Sequence, residues 1–236
     1  MFTFIAFAAG LVRGYSGFGF AMLMALGLML RLPPAEAVPV ALILDVACSV
    51  TLWPAALRAV HGGVLGRLLI GMLLAVPLGA WLLLWLPARI MAPLVAMLCL
   101  CGGMLVLWRP SVATPVSQGM AWLAGLASGL ATTVASAGGP PLMIYLLRSG
   151  LDTRQLRGTA VLFFLASSSA ALIGLGLAGV LNGAQWRLAL ELALPALVGN
   201  LLGQWLHPRW QPLSLRVLVG VLLVLLSLGS LLKAIL

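Results

Sequence analysis

Two stretches of the chain carry the same residues at long range, and each opens with an apolar segment interrupted in its middle. Gly63, Arg67, Gly79, Trp85-Leu86 and Arg89 recur as Gly183, Arg187, Gly199, Trp205-Leu206 and Arg209, at one offset of 120 residues. Earlier, Ala9-Gly10-Leu11 is matched by Ala124-Gly125-Leu126. The interruptions are Gly14-Tyr15-Ser16-Gly17-Phe18-Gly19 in the first half and Ser136-Ala137-Gly138-Gly139-Pro140-Pro141 in the second. The chain is 63% hydrophobic and 7% charged, whereas a soluble domain carries about 25% charged residues. Runs such as Leu218 to Leu226 do not alternate as barrel strands do. That leaves helices as the backbone solution in lipid. The fold class is therefore an all-α, polytopic helical membrane protein of two four-segment repeats, 1–110 and 111–236, forming one membrane domain. In such proteins, broken segments at matching places in two halves point to a transport site between them.

Apolar segments run over 2–30, 37–57, 64–86, 90–108, 120–147, 158–180, 186–206 and 213–235. Proline and glycine punctuate them: Leu32-Pro33-Pro34, His61-Gly62-Gly63, Pro87 and Arg109-Pro110, then Ser149-Gly150, Asn182-Gly183 and Pro208. Met1 to Gly10 lacks a basic n-region and reads as the start of a retained first span. Residues 2–30 or 120–147 as one straight helix would exceed about 40 Å at about 1.5 Å per residue, against a hydrocarbon core of about 30 Å. Either a kinked crossing or a re-entrant hairpin satisfies that length. Crossing gives eight spans and parallel repeats, whereas re-entry gives six and inverted repeats. On the eight-span reading, alternate loops hold seven arginines against four. That asymmetry places both termini outside the cytoplasm.

The net charge of +9 does not make a nucleic-acid protein, because the arginines are scattered through loops and form no stripe. Loop arginines facing anionic lipid account for them. Cys48, Cys99 and Cys101 lie in apolar runs as packing residues, without metal or disulfide spacing. No cofactor is implied, and a G-x-x-x-x-G-K-[ST] nucleotide loop does not occur. The expected partners are a small anionic substrate and membrane lipid, with a homo-oligomer compatible.

The breaks suit an anion. A broken helix frees backbone N–H groups, and the helix resuming after the break adds its positive end. Candidate binding residues are Arg13, Ser16, Gly17 and Gly19 at the first break. At the second they are Ser128, Thr132, Thr133, Ser136, Gly138, Gly139 and Pro140. The alternative is that the small residues serve close helix packing and that Arg13 snorkels to an interface. Asp45 lies well inside the second segment, where a carboxylate is a coupling group or a partner for Arg13. Glu36 and Asp152 read as helix caps or first-turn charges, and Glu191 as interfacial. Asn200 and Gln204 either face a polar cavity or hold helices together. Gly14-Tyr15-Ser16-Gly17 also spells the G-x-S-G of intramembrane serine proteases. A nucleophilic Ser16 would need a base, and the only histidines, His61 and His207, fall at segment ends.

These features resemble the TauE/SafE family, membrane proteins associated with export of sulfite and organosulfur anions. The resemblance spans the chain. It rests on the break from Gly14 to Gly19 followed by Leu32-Pro33-Pro34-Ala35-Glu36-Ala37-Val38, on Ala137-Gly138-Gly139-Pro140-Pro141, and on Leu197-Val198-Gly199-Asn200-Leu201-Leu202-Gly203. It implies a small sulfur-containing or carboxylate anion as substrate. Together with the paired breaks, it points to a secondary transporter exporting such anions across the inner membrane, with Asp45 as the candidate proton-coupling group and a passive anion channel as the alternative. In such proteins the first break often ends in consecutive glycines, whereas Gly19 here precedes Phe20-Ala21-Met22. The second break is therefore expected to supply more of the backbone donors.

Overall fold

The computed structural model of the chain describes residues 1–107, 119–206, 221 and 224–232. Arg109-Pro110, the 110/111 boundary, His207, Pro208, Arg209, Arg216 and parts of the expected eighth segment lie outside the described residues. Among the described residues there is no strand. The helices are α1 (Phe2–Ser16), α2 (Phe20–Met29), α3 (Pro34–Leu57), α4 (Gly62–Trp85), α5 (Ala88–Leu107), α6 (Met120–Ala135), α7 (Gly139–Arg148), α8 (Thr153–Leu177) and α9 (Gly183–Leu206), with further helix at 224–232. Four of them, α3, α4, α8 and α9, are long and apolar enough to cross a membrane.

Local chemistry sets the ends. Pro34 opens α3, with Glu36 in its first turn. Asp152 caps α8 by accepting the Gln155 N–H at 2.7 Å, as expected of these two acids. His61 caps α4 through Nδ1, which accepts from the Val64 N–H. Gly17 and Gly19 take φ of 82° and 89°, and Ser136 takes 53°. Left-handed backbone of this kind ends helices and is cheapest at glycine.

The broken segments fold back on themselves. At about 1.5 Å per residue, the 15 residues of α1 and 10 of α2 reach only about 22 and 15 Å. A Cβ on Gly27 would lie 2.5 Å from the Ile5 side chain. Residue 5 is twelve positions before Gly17 and residue 27 eight after Gly19, so such contact requires a hairpin. The expected first span is instead the first arm of that hairpin. α6 and α7 also pack on one another across the second break.

Around these hairpins α1 packs on α9, α6 on α4 and α3 on α8. The glycines of the first two pairs touch backbone. Added Cβ atoms would stand 2.1 Å from the Ala196 oxygen at Gly10, 1.9 Å from Asn200 oxygen at Gly14, and 2.1 Å from Phe7 oxygen at Gly199. Gly71 and Gly125 meet Trp122 and Leu68 oxygens at 2.1 Å in the same way. Residue order rises together in both pairs, so α1 runs parallel to α9 and α6 parallel to α4. In contrast, α3 and α8 run antiparallel, with Asp45 beside Ser168 and Ala56 beside Gly158.

The outer surface is apolar, with Phe4, Trp85 and Leu177 exposed, while Arg13, Asp45, Ser128, Thr133 and Asn200 are buried. This is the distribution expected where lipid replaces water outside. Cys48 and Cys99 are buried as expected, but Cys101 is exposed on α5 rather than packed. Glu191 is exposed too, eight residues inside α9.

Candidate functional site

Both breaks meet at one small cavity. It has about 10 Å³ of room, close to the minimum for one water. Its lining joins Gly19 and Met22 from the first hairpin to Thr132, Ser136, Gly138 and Gly139 from the second, with Arg13, Asp45, Phe164 and Ser168. The two hairpins, far apart in sequence, thus share one pocket.

Arg13 does not snorkel, being 1% exposed. Its Nη1 lies 3.3 Å from Asp45 Oδ1, its Nη2 donates to Ser49 Oγ, and its guanidinium sits 5.1 Å above the Phe164 ring. Ser168 donates to Asp45 Oδ2 at 2.7 Å. The charges of Arg13 and Asp45 offset each other, yet Arg13 Nε and Ser136 Oγ are buried without a hydrogen-bond partner among the described residues. Buried donors left unpartnered cost about 1–3 kcal/mol each. Asp45 Oδ1 on the same lining also lacks a hydrogen-bond partner, so one cavity gathers two orphan donors and one orphan acceptor.

Backbone donors come mainly from the first break, contrary to expectation. The first-turn N–H groups of Phe20, Ala21 and Met22 have no intrahelical acceptor by helix geometry, and Ala21 and Met22 line the cavity. In α7 the first turn is Gly139-Pro140-Pro141, and both prolines lack an N–H. That leaves Gly139 as its one first-turn donor.

Several expected residues fall behind the cavity. Ser16 donates to the Val12 and Phe18 carbonyls, which leaves it bonded to backbone rather than to a base. His61 is occupied at the start of α4. Gly17 packs on Arg157 and Val161, Thr133 abuts Gly79, and Pro140 abuts Gly102. Ser128 donates to the Gly138 carbonyl and so fixes the second break from below. Asn200 and Gln204 both donate to Thr51 Oγ1, at 2.8 and 3.0 Å, and hold α9 to α3. Phe164 and Ser168 were not among the residues expected from sequence. Ser167-Ser168-Ser169 inside an apolar segment was the signal for the second of them. An ordinary-looking Phe gave none.

The family model described as "Sulfite exporter TauE/SafE" matches residues 2–229. The chain belongs to the TauE/SafE family. No curated protein and no solved structure matches it. Membership places the chain among multi-pass membrane transporters of anions, and its helices are of the length and composition that role needs.

Proposed function

We propose that the protein is a secondary exporter of small oxyanions, sulfite or organosulfonates, and that the shared cavity is its substrate site. The observation that carries this reading is the cluster of buried, partnerless polar atoms where the two hairpins meet, the donors Arg13 Nε and Ser136 Oγ beside the acceptor Asp45 Oδ1. In the proposed site, which widens beyond its present room for about one water as it opens, Arg13, Thr132, Ser136 and the amides of Ala21, Met22 and Gly139 hold the oxyanion. Asp45 balances Arg13 when the site is empty of anion and exchanges a proton during coupling. Helix direction supports an inverted pair of repeats, 1–110 and 111–236, each holding a hairpin that enters from its own side of the membrane. Rocking one repeat on the other then exposes the cavity alternately. The near-closed cavity supports a carrier over a channel, since a channel needs a continuous pore.

Radiolabelled sulfite flux into proteoliposomes, with and without an imposed pH gradient, tests this. Saturable flux that accumulates sulfite against its gradient when the pH gradient is imposed is expected. Ohmic flux indifferent to the gradient supports the channel, and no flux of any small anion defeats both. Gly139→Ala is the decisive variant. A Cβ there finds its nearest neighbour at 3.7 Å, whereas one on Gly138 would stand 1.9 Å from Thr132 Oγ1. A methyl at Gly139 therefore takes up the water-sized cavity without breaking the second hairpin, and flux should fall strongly while the protein still inserts.

A further inference from the structure

A second, larger cavity lies toward the end of the bundle where α3 ends and α8 begins. Its volume is about 550 Å³, within the usual range of about 300–1,000 Å³ for ligand sites. Arg58, Arg154 and Arg157 line it, with Gln204 and an apolar wall that includes Leu52 and Val161. Among the described residues, no acidic side chain lines it. The nearby acid, Asp152, caps α8. The ion pair between Arg13 and Asp45 lies deeper, at the smaller cavity.

Arg157 joins this vestibule to the first break. Its Nη2 donates to the Gly14 carbonyl at 2.8 Å, one of the last carbonyls of α1, which have no intrahelical donor. Its stem passes 3.3 Å from where a Cβ on Gly17 would stand, with Val161 behind at 3.7 Å. Arg157, Val161, Phe164 and Ser168 recur at helical spacing, so they form one stripe of α8. The upper two line the vestibule and the lower two the small cavity. The Gly17-Phe18 turn sits across that stripe, with Phe18 3.7 Å from the Cβ position of Gly139.

We infer that the vestibule is a second anion site, taking an oxyanion through Arg58, Arg154 and Arg157, and that its occupancy unlatches the first break. The inference rests on the transport reading above but assigns different residues. A guanidinium gives an oxyanion two parallel, charge-assisted hydrogen bonds, about twice the strength of neutral ones. An anion in the vestibule thus draws Arg157 from the neutral Gly14 carbonyl. The end of α1 loses its side-chain donor, and the Gly17-Phe18 turn is free to leave the stripe.

The test uses the full chain carrying Gly139→Ala, so that the small cavity is filled, with methanesulfonate as probe. Calorimetry should find one methanesulfonate bound per chain. Losing one charge-assisted hydrogen bond, worth about 1.5–3 kcal/mol, should weaken it about tenfold or more in Arg154→Gln and in Arg157→Gln. Absence of binding in Gly139→Ala, or binding indifferent to both arginines, overturns the site whatever the flux assay shows. Hydrogen exchange over residues 14–20 reads the latch. Arg157→Gln without anion, and methanesulfonate with Arg157 intact, should each speed exchange several-fold there and leave the middle of α8 unchanged. Unchanged exchange in both overturns the latch. If Arg157→Gln does not fold, Arg157→Lys, which keeps the charge but not the fork, should show a smaller rise, and no rise counts against it.

Discussion

Arg13 and Asp45 are buried at 1% exposure each, and that burial decides what substitutions there can report. Removing one member of a buried ion pair strands the other charge and costs about 3–5 kcal/mol, whereas replacing both by apolar groups is often neutral. Arg13→Met alone should therefore lower thermal stability in detergent strongly. Arg13→Met with Asp45→Leu should recover most of it, yet carry no sulfite. A double variant that transports at the wild-type rate would show the pair to be scaffolding only. Asp45→Asn also strands Arg13 and should lower stability, so its two fluxes are compared within the variant: pH-driven accumulation should fall more than anion exchange does. Equal losses in the two flux assays would point to a structural carboxylate.

At the scale of helices, stability rests on pairs that touch through glycine. Backbone oxygens opposite Gly10 and Gly199 cannot swing aside as a flexible side chain can, so an added methyl must push α1 and α9 apart. Overpacking of this kind costs about 1–3 kcal/mol. Gly10→Ala and Gly199→Ala should each unfold earlier in a detergent denaturation series. Gly66→Ala, in α4 with nothing within 4 Å of the new Cβ, should be neutral or stabilising by up to about 1 kcal/mol. The same glycines show how far the sequence could be read. Gly14 to Gly19 and Ser136 to Pro141 located both breaks, because glycine and proline disfavour a helix interior whatever surrounds them. The choice between kink and hairpin was not legible, since it turns on Gly27 meeting Ile5, a contact between arms that length alone permits but does not require. Residues read as ligands split for a similar reason. Arg13, Asp45, Gly19, Thr132, Ser136, Gly138 and Gly139 reach the cavity, but Thr133 and Pro140 point to neighbours that only packing specifies. Phe164, Ser168 and Arg157 come from α8, whose apolar run hid the stripe they form.

Across the whole molecule, the hairpins set the direction of every helix and so sort the arginines by side. A hairpin returns the chain to the side it entered, and α3 and α4 then cross in opposite senses. Among the described residues, Arg58, Arg67, Arg148, Arg154 and Arg157 consequently gather at the vestibule end, and Arg31, Arg89 and Arg187 at the other. Five against three favours a cytoplasmic vestibule, where an exporter would collect its anion. Two substitutions read this directly, with Cys48, Cys99 and Cys101 replaced by Ala. Gly62 and Gly183 start helices at opposite ends, and neither has a neighbour within 4 Å of an added Cβ. In intact cells an impermeant maleimide should label Gly183→Cys, while Gly62→Cys should react only after the membrane is opened. The reverse pattern would put the arginine-lined vestibule outside the cytoplasm, and the same geometry would then describe uptake rather than export.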